Sequence, residues 1–528
     1  MDVQEILNFC LERGLLVDKD ILNLFREVDT ETGKILIEKI IGHTKKRFIT
    51  KHTFDENKEQ FKKIFLELPE ENRQSIEKLK IKLGLSIEIS KEISKESLIQ
   101  EKKEVRKKLD EFNDIRILSM TPALSKKLEV KDFVRYFRNR FSDMKSILQG
   151  HSELGNLISI NKISGNRQGA SIIGLVIDKR ATKNKNLLID IEDLTGEIKV
   201  LINHDNKELF EKAKDIALDS VIGVKGSGNR EIIFASDIIL PEAMLFNRKK
   251  SESDEWVLFT GDMHVGSKLF MEKNFLRFID YLNGKVPNTP EVEKIKYLFL
   301  IGDLIAGVGI YPGQEEELII PEVEAQYAKV AELLGKIRKD IKIIISPGNH
   351  DALRIMEPQP LLDEKYAWPL YNLKNIVLTG NPAYLNIGSR KAFPGFNVLT
   401  YHGYSFHYYA GNIESLVKEK AAHKPEMIMS YLLKNRHLAP THTSTLYFPS
   451  ERDPFLIKEV PDIFISGHTH KSAINYYNNI LLVSSSTWES LTAFQEKMGN
   501  EPDFCKVPMF NLKTRQVKIL DFEGEEEK

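Results

Sequence analysis

Short apolar runs punctuate the second half of the chain, and each stops at once in polar side chains. WVLFT (256–260) gives way to Gly261, Asp262 and His264, and FLI (299–301) to Gly302 and Asp303. IIIS (343–346) leads to Gly348, Asn349, His350 and Asp351, VLTY to His402, and IFIS to Gly467, His468 and His470. Unbroken apolar runs of this kind mark parallel strands buried on both faces. Between them, FLRFIDYLNG and EVEAQYAKVAELLGKIRK keep apolar residues at helical spacing. The alternation predicts a layered α/β domain over residues 251–528.

Upstream the period changes. Over residues 151–250, ASIIGLVIDKR, NLLIDIEDLTG, EIKVLINHD, SVIGVKGSG and REIIFASDIIL alternate or are rich in β-branched residues, with turn signals between them. A helical stretch, KELFEKAKDIA, lies between the third and fourth. Three strands, a helix and two strands is the order of a five-stranded OB-fold β-barrel. Such barrels bind single strands by stacking bases on aromatics. Phe234 is the one aromatic on these strands, which favours a structural or subunit-contact role.

Residues 1–80 predict a helical partner-docking module, with Val3, Ile6, Leu7, Cys10 and Leu11 on one face. Residues 81–150 predict a charged linker and helices. Phe133, Tyr136, Phe137 and Phe141 recur there near helical spacing, with Arg135, Arg138 and Arg140 on a basic face read as solvated. The fold class is multidomain α+β. In the tail, Gln516, Ile519 and Phe522 have the spacing of a sliding-clamp-binding box, but a last strand explains the same residues and is preferred.

Composition narrows the classes. The chain has 528 residues, enough for two to four domains. Lys+Arg number 76 against Asp+Glu 77, so any nucleic-acid binding must use local patches rather than a global basic field. Two cysteines, Cys10 and Cys505, exclude a disulfide framework and a thiolate zinc cage. No signal peptide is legible and no apolar run reaches the length of a membrane span, which places the chain in the cytoplasm as an expectation.

Asp, Asn and His at five strand ends can converge on one point, because the carboxyl ends of such strands open into the ligand crevice of an α/β sheet. Hard oxygen donors mixed with imidazoles suit a pair of divalent ions, Mn, Fe or Zn, rather than a structural zinc. Two ions roughly 3.5–4 Å apart can share a carboxylate and clamp a phosphate.

The ordered set D-x-H, G-D, G-N-H-D, H-G and G-H-T-H resembles the calcineurin-like metallophosphoesterase superfamily over about residues 255–522. Within it, GVGIYPGQ (307–314), EPQP (357–360), RHLAP (436–440) and STW (486–488) resemble the small, proofreading-exonuclease subunits of archaeal D-family DNA polymerases. The resemblance implies that Asp262, His264 and His470 hold one ion and Asn349, His402 and His468 the other, with Asp303 bridging. Mn is the expected metal, with Mg, Fe and Zn as alternatives. It implies that His350 is catalytic, protonating the leaving oxygen or stabilising charge on the phosphoryl oxygens. The implied activity is 3′-to-5′ hydrolysis of single-stranded DNA ends at a primer-template, beside a large polymerase subunit, with the sliding clamp a further candidate partner and no membrane. The alternative is a non-catalytic scaffold.

One position departs from the pattern. Ala306 stands three residues after Asp303, where many relatives carry an Asp or His that orients the histidine equivalent to His350. Asp351 is a candidate substitute. Arg354, Arg436 and His437 are candidate contacts to DNA phosphate. Trp488, Tyr404 and Phe406 are candidate base-stacking aromatics, with core packing the commoner use. His407, His423 and His442 read as ordinary histidines.

Overall fold

Two six-stranded sheets stack face to face in the unit that spans residues 100–528. The first runs, edge to edge, through Ile376–Leu378, Lys342–Ser346, Ile295–Ile301, Trp256–Thr260, Lys506–Asn511 and Val517–Asp521. Its first four strands are parallel and its last two antiparallel. The second runs through Ala473–Tyr477, Ile480–Ser484, Ile463–Ser466, Phe396–Thr400, Ala383–Ile387 and Ile115–Met120. Val257, Phe259 and Phe299 of the first sheet meet Leu385, Val398 and Ile465 of the second in a core closed to water. Each such side chain contributes roughly 1.5–3 kcal/mol by burial.

Helices cover both outer faces. Glu272–Leu282, Val323–Gly335 and Glu364–Tyr371 pack on the first sheet through Phe275, Phe278, Val330, Leu334 and Leu370. Phe406–Asn412, Glu414–Lys418 and Pro425–Asn435 pack on the second through Phe406, Tyr409, Leu416 and Leu432. This computed structural model describes residues 8–10, 12–13, 16–17, 48–49, 114–120 and 127–524. The chain divides into two units, 1–99 and 100–528. The helical module expected over residues 1–80 lies almost wholly outside the described residues, as does the charged stretch up to residue 113. No described helix is long and apolar enough to cross a membrane.

The expected barrel closes as Gln168–Ala181, Leu187–Asp193, Gly196–Ile202, Ile232–Ile239 and Val221–Gly228, with the helix Lys207–Lys214 after the third strand. Phe234 is 44% exposed on its wall, with the Arg167 guanidinium 5.4 Å from its ring centre. The helix Val130–Leu148 ties the barrel to the sheets. Phe141, Met144 and Leu148 pack on Ile173, Leu175 and Val221 of the barrel and on Leu456.

Two expectations need correction. Ile115–Met120, read as linker, is an edge strand paired antiparallel with Ala383–Ile387. Its six residues follow a long charged run, and its partner strand and the core around Ile115 come from far along the chain, so no local signal marks it. Arg140, read as solvated, is 2% exposed. Its Nε donates to Asp453 Oδ2 at 2.6 Å and its Nη1 to the Pro440 carbonyl at 2.7 Å. In the tail, Val517–Asp521 pairs with Lys506–Asn511, and Phe522 packs on Phe278 and Trp488. The strand accounts for the spacing of Gln516, Ile519 and Phe522.

Candidate metal centre

Five strands deliver the site, three adjacent in the first sheet and two adjacent in the second. Asp262 and His264 follow Trp256–Thr260, Asp303 follows Ile295–Ile301, and Asn349 follows Lys342–Ser346. His402 follows Phe396–Thr400, while His468 and His470 follow Ile463–Ser466. The two sheets face each other, so these ends meet in one crevice. His264 Nε2 lies 3.2 Å from His470 Nε2, and His470 Nε2 lies 3.5 Å from Asp262 Oδ1. His402 Nε2 lies 3.1 Å from Asn349 Oδ1 and 3.3 Å from Asp303 Oδ2. That same Asp303 oxygen lies 3.9 Å from His264 Nε2, so one carboxylate stands between the two groups. Asp262, His264 and His470 form one set of donors within 4.8 Å of one another, and Asp303, His402 and His468 form another. Imidazole nitrogens and carboxylate oxygens converging this closely fit two divalent ions.

The backbone is bent to achieve this. Asp262, His264, Asp303, His468 and His470 all have φ between 48° and 67°, the left-handed region that costs side-chain-bearing residues roughly 1–3 kcal/mol each. Glycines make room beside them. A methyl on Gly348 would stand 2.2 Å from Asp303 Oδ1, and one on Gly467 2.6 Å from Asp262 Oδ2. Gly302 has φ +75°, and its methyl would stand 2.1 Å from His402 Nδ1. Gly302→Ala is therefore expected to push His402 aside, so that metal analysis finds the second ion lost and the melting temperature falls. Gly411→Ala, with nothing within 4 Å of the added carbon, is the control expected to retain both ions.

Charge in the crevice is strongly coupled. Burial alone would raise the Asp303 carboxyl, but His402, His350 and His264 hold it far below the usual carboxylate range. Burial lowers His402, yet Asp303 outweighs it and pushes the imidazole up to about 10. His264 and His468 are driven well below their ordinary range, first by burial and then by neighbouring imidazoles. His264 and His468 are thus neutral beside an ionised carboxylate, as metal ligation requires, whereas His402 would release its proton when an ion binds.

Support for the donors comes from segments whose role sequence alone does not reveal. The His402 N–H donates to Asn381 Oδ1 at 2.9 Å, and Asn381 Nδ2 donates to Glu357 Oε1 at 3.0 Å and to Gln359 Oε1 at 2.8 Å. Gln359 Nε2 donates to the Gly348 carbonyl at 2.9 Å. Thr487 Oγ1 and the Trp488 N–H both donate to the Asp262 carbonyl, at 2.9 and 3.0 Å. Glu357 also accepts from Tyr401 and Thr445. Burial dominates over those donors and raises its carboxyl from 4.5 to about 7. The folded state therefore holds a proton that the unfolded chain has released, and stability should fall as pH rises from about 4.5 to about 7. The fall is at most about 3 kcal/mol, and Glu357→Gln should flatten it in urea titrations across that range.

Other candidates fall in different places. Asp351 does not reach His350. Its carboxylate accepts from the Gly348 and Leu304 N–H groups at 2.9 and 3.4 Å and from Tyr327 at 3.1 Å. The contact to His350 comes instead from the Ala306 carbonyl, 2.8 Å from Nδ1. His437 is 2% exposed, with Nε2 2.8 Å from Asp453, and so faces the protein interior rather than a DNA backbone. Arg436, in the left-handed conformation at a helix end, donates Nε to the Ile457 carbonyl at 2.9 Å and Nη2 to Lys458. Arg354 donates to the Pro358 carbonyl and lies 4.7 Å from the Phe448 ring. Trp488 and Phe406 are fully buried, and Trp488 Nε1 donates to Thr260 Oγ1 at 2.7 Å. His407 and Tyr404 flank His468, with ring centres 5.1 and 5.6 Å away.

Comparison with known proteins agrees with this geometry. The calcineurin-like phosphoesterase family matches residues 256–472, and the OB-fold nucleic acid binding domain family matches residues 170–230. The DNA polymerase II small subunit of Methanothermobacter thermautotrophicus is 38% identical over 398 residues, 75% of this chain and 80% of the relative. That of Pyrococcus furiosus is 36% identical over 438 residues, 80% of this chain and 70% of the relative. With its barrel, its paired sheets and its ring of Asp, Asn and His, this chain belongs to the family of DNA polymerase II small subunits.

Proposed function

We propose that this subunit is a metal-dependent 3′-to-5′ exonuclease that removes the terminal nucleotide from single-stranded DNA ends, working beside a large subunit that synthesises DNA. The observation that carries the reading is Asp303, whose one carboxylate oxygen faces His264 on one side and His402 on the other, at 3.9 and 3.3 Å. Asp262, His264 and His470 would hold one ion, Asn349, His402 and His468 the other, and Asp303 both. Bound divalent ions, manganese foremost, would acidify water and neutralise charge on the phosphate.

The remaining residues serve the proton and the substrate. Asn349 contributes a neutral oxygen, which limits negative charge where a phosphodiester must sit. His350 donates its backbone N–H to Asp303 Oδ1 at 2.8 Å and is not needed as a ligand. Its imidazole gives a proton to the departing 3′ oxygen. A scaffold without catalysis is the second reading, favoured by the missing side chain at Ala306. The test is digestion of 5′-labelled single-stranded DNA by the full chain with manganese. A ladder shortening from the 3′ end is expected, and intact DNA would favour the scaffold.

A further inference from the structure

We propose that Gln314 is a positioning residue for His350, acting through the carbonyl of Ala306. The inference rests on the reading of His350 as the proton donor to the leaving oxygen. His350 Nδ1 lies 2.8 Å from the Ala306 carbonyl oxygen. A carbonyl only accepts, so Nδ1 carries a hydrogen and the transferable proton belongs to Nε2. A ring nitrogen of His350 stands within 4.8 Å of donor atoms of both Asp303 and His264, so the imidazole borders the reaction centre.

What fixes that carbonyl is not obvious, because it opens a loop rich in glycine. Gly307, Gly309 and Gly313 all have positive φ. Two buried amides hold the loop. Gln314, 2% exposed, donates Nε2 to the Ala306 carbonyl at 2.8 Å and accepts the Ile310 N–H on Oε1 at 2.9 Å. Gln326, fully buried, accepts the Gly307 N–H at 2.9 Å and donates to the Ile320 carbonyl at 2.8 Å. The Ala306 oxygen thus receives two donors, Gln314 and His350, which fill its two lone pairs and set its direction. Gly307 lets the loop come this close, since a methyl there would stand 2.5 Å from the His350 carbonyl. Where a carboxylate three residues after Asp303 would orient the histidine directly, this chain uses a main-chain oxygen aimed by a distant amide.

The experiment uses the full chain loaded with manganese. Gln314→Met removes both polar contacts at similar volume. Gln314→Leu, which likewise has no donor for the Ala306 carbonyl, serves if the first variant folds poorly. Each is expected to lower kcat on single-stranded 3′ ends about tenfold, a part of the roughly 10²–10⁴-fold that a general acid contributes, with KM and bound metal unchanged. On bis(4-nitrophenyl) phosphate, whose leaving group needs no proton, the loss should be much smaller. Added to His350→Ala, neither should reduce the DNA rate further. Equal losses on both esters, or losses additive with His350→Ala, would overturn the proposal and leave Gln314 a plain structural amide. A zinc-loaded sample, diamagnetic and labelled with 15N-histidine, gives an independent readout, with His350→Ala to assign the signal. The Nδ1–H form should dominate in wild type and decline in both variants, and an unchanged tautomer would overturn the proposal. If wild type cleaves no DNA, the exonuclease reading fails while the tautomer still decides the role of Gln314.

Discussion

Asp303→Asn is expected to abolish DNA hydrolysis while leaving the fold intact. The substitution preserves shape but removes the one charge placed between both donor sets. The amide would also turn an N–H toward His402 or His264 where each needs an acceptor or an ion. Losing the Lewis acid at such a site costs several kcal/mol of transition-state stabilisation. Roughly 4 kcal/mol corresponds to about a thousandfold in rate. The measurement is single-turnover cleavage of labelled DNA at saturating manganese, with far-ultraviolet circular dichroism to confirm the fold. Activity within tenfold of wild type would mean that Asp303 does not bridge two ions.

The largest effect on stability is expected far from the chemistry. Asp453 has a fully buried side chain and accepts from Arg140 Nε at 2.6 Å, pairs with His437 Nε2 at 2.8 Å, and receives the Phe455 N–H at 3.0 Å. Burial would raise its carboxyl, but Arg140 and His437 hold it far below the usual range. Its contribution is therefore present above the ordinary carboxylate range and lost as pH falls below it. Asp453→Ala leaves a guanidinium buried without a counter-charge, and should cost about 3–5 kcal/mol in urea unfolding. The double change Arg140→Met with Asp453→Leu should recover much of that loss, because an apolar pair needs no desolvation of charge. A single change that costs under 1 kcal/mol would show that the helix Val130–Leu148 is held by its apolar face alone.

Much of the site was legible because its chemistry is local to each strand end. At four of the five strand ends an apolar run, a glycine and a candidate donor follow closely in sequence, and Gly302, Gly348 and Gly467 make room for donors arriving from other strands. The barrel was legible for a similar reason, since alternation and turn residues lie within single strands. What escaped was whatever depends on a partner far along the chain. Ile115–Met120 becomes a strand only by pairing with Ala383–Ile387. His437 and Arg140 looked like surface cations until Asp453 drew both inside. The segments EPQP, STW and GVGIYPGQ stood out without a role. Each supports the centre from behind, Glu357 and Gln359 through Asn381, Thr487 through the Asp262 carbonyl, and Gln314 through Ala306. Ala306 itself looked like a loss, because sequence shows side chains and the compensating atom belongs to the backbone.

The most direct measurement is the number of manganese ions bound per chain, by equilibrium dialysis of the purified protein and of Asp303→Asn. Two ions per wild-type chain are expected, with at least one lost from the variant. A wild-type chain that binds none, or a variant that keeps both, would contradict the assembly of these donors around a shared carboxylate.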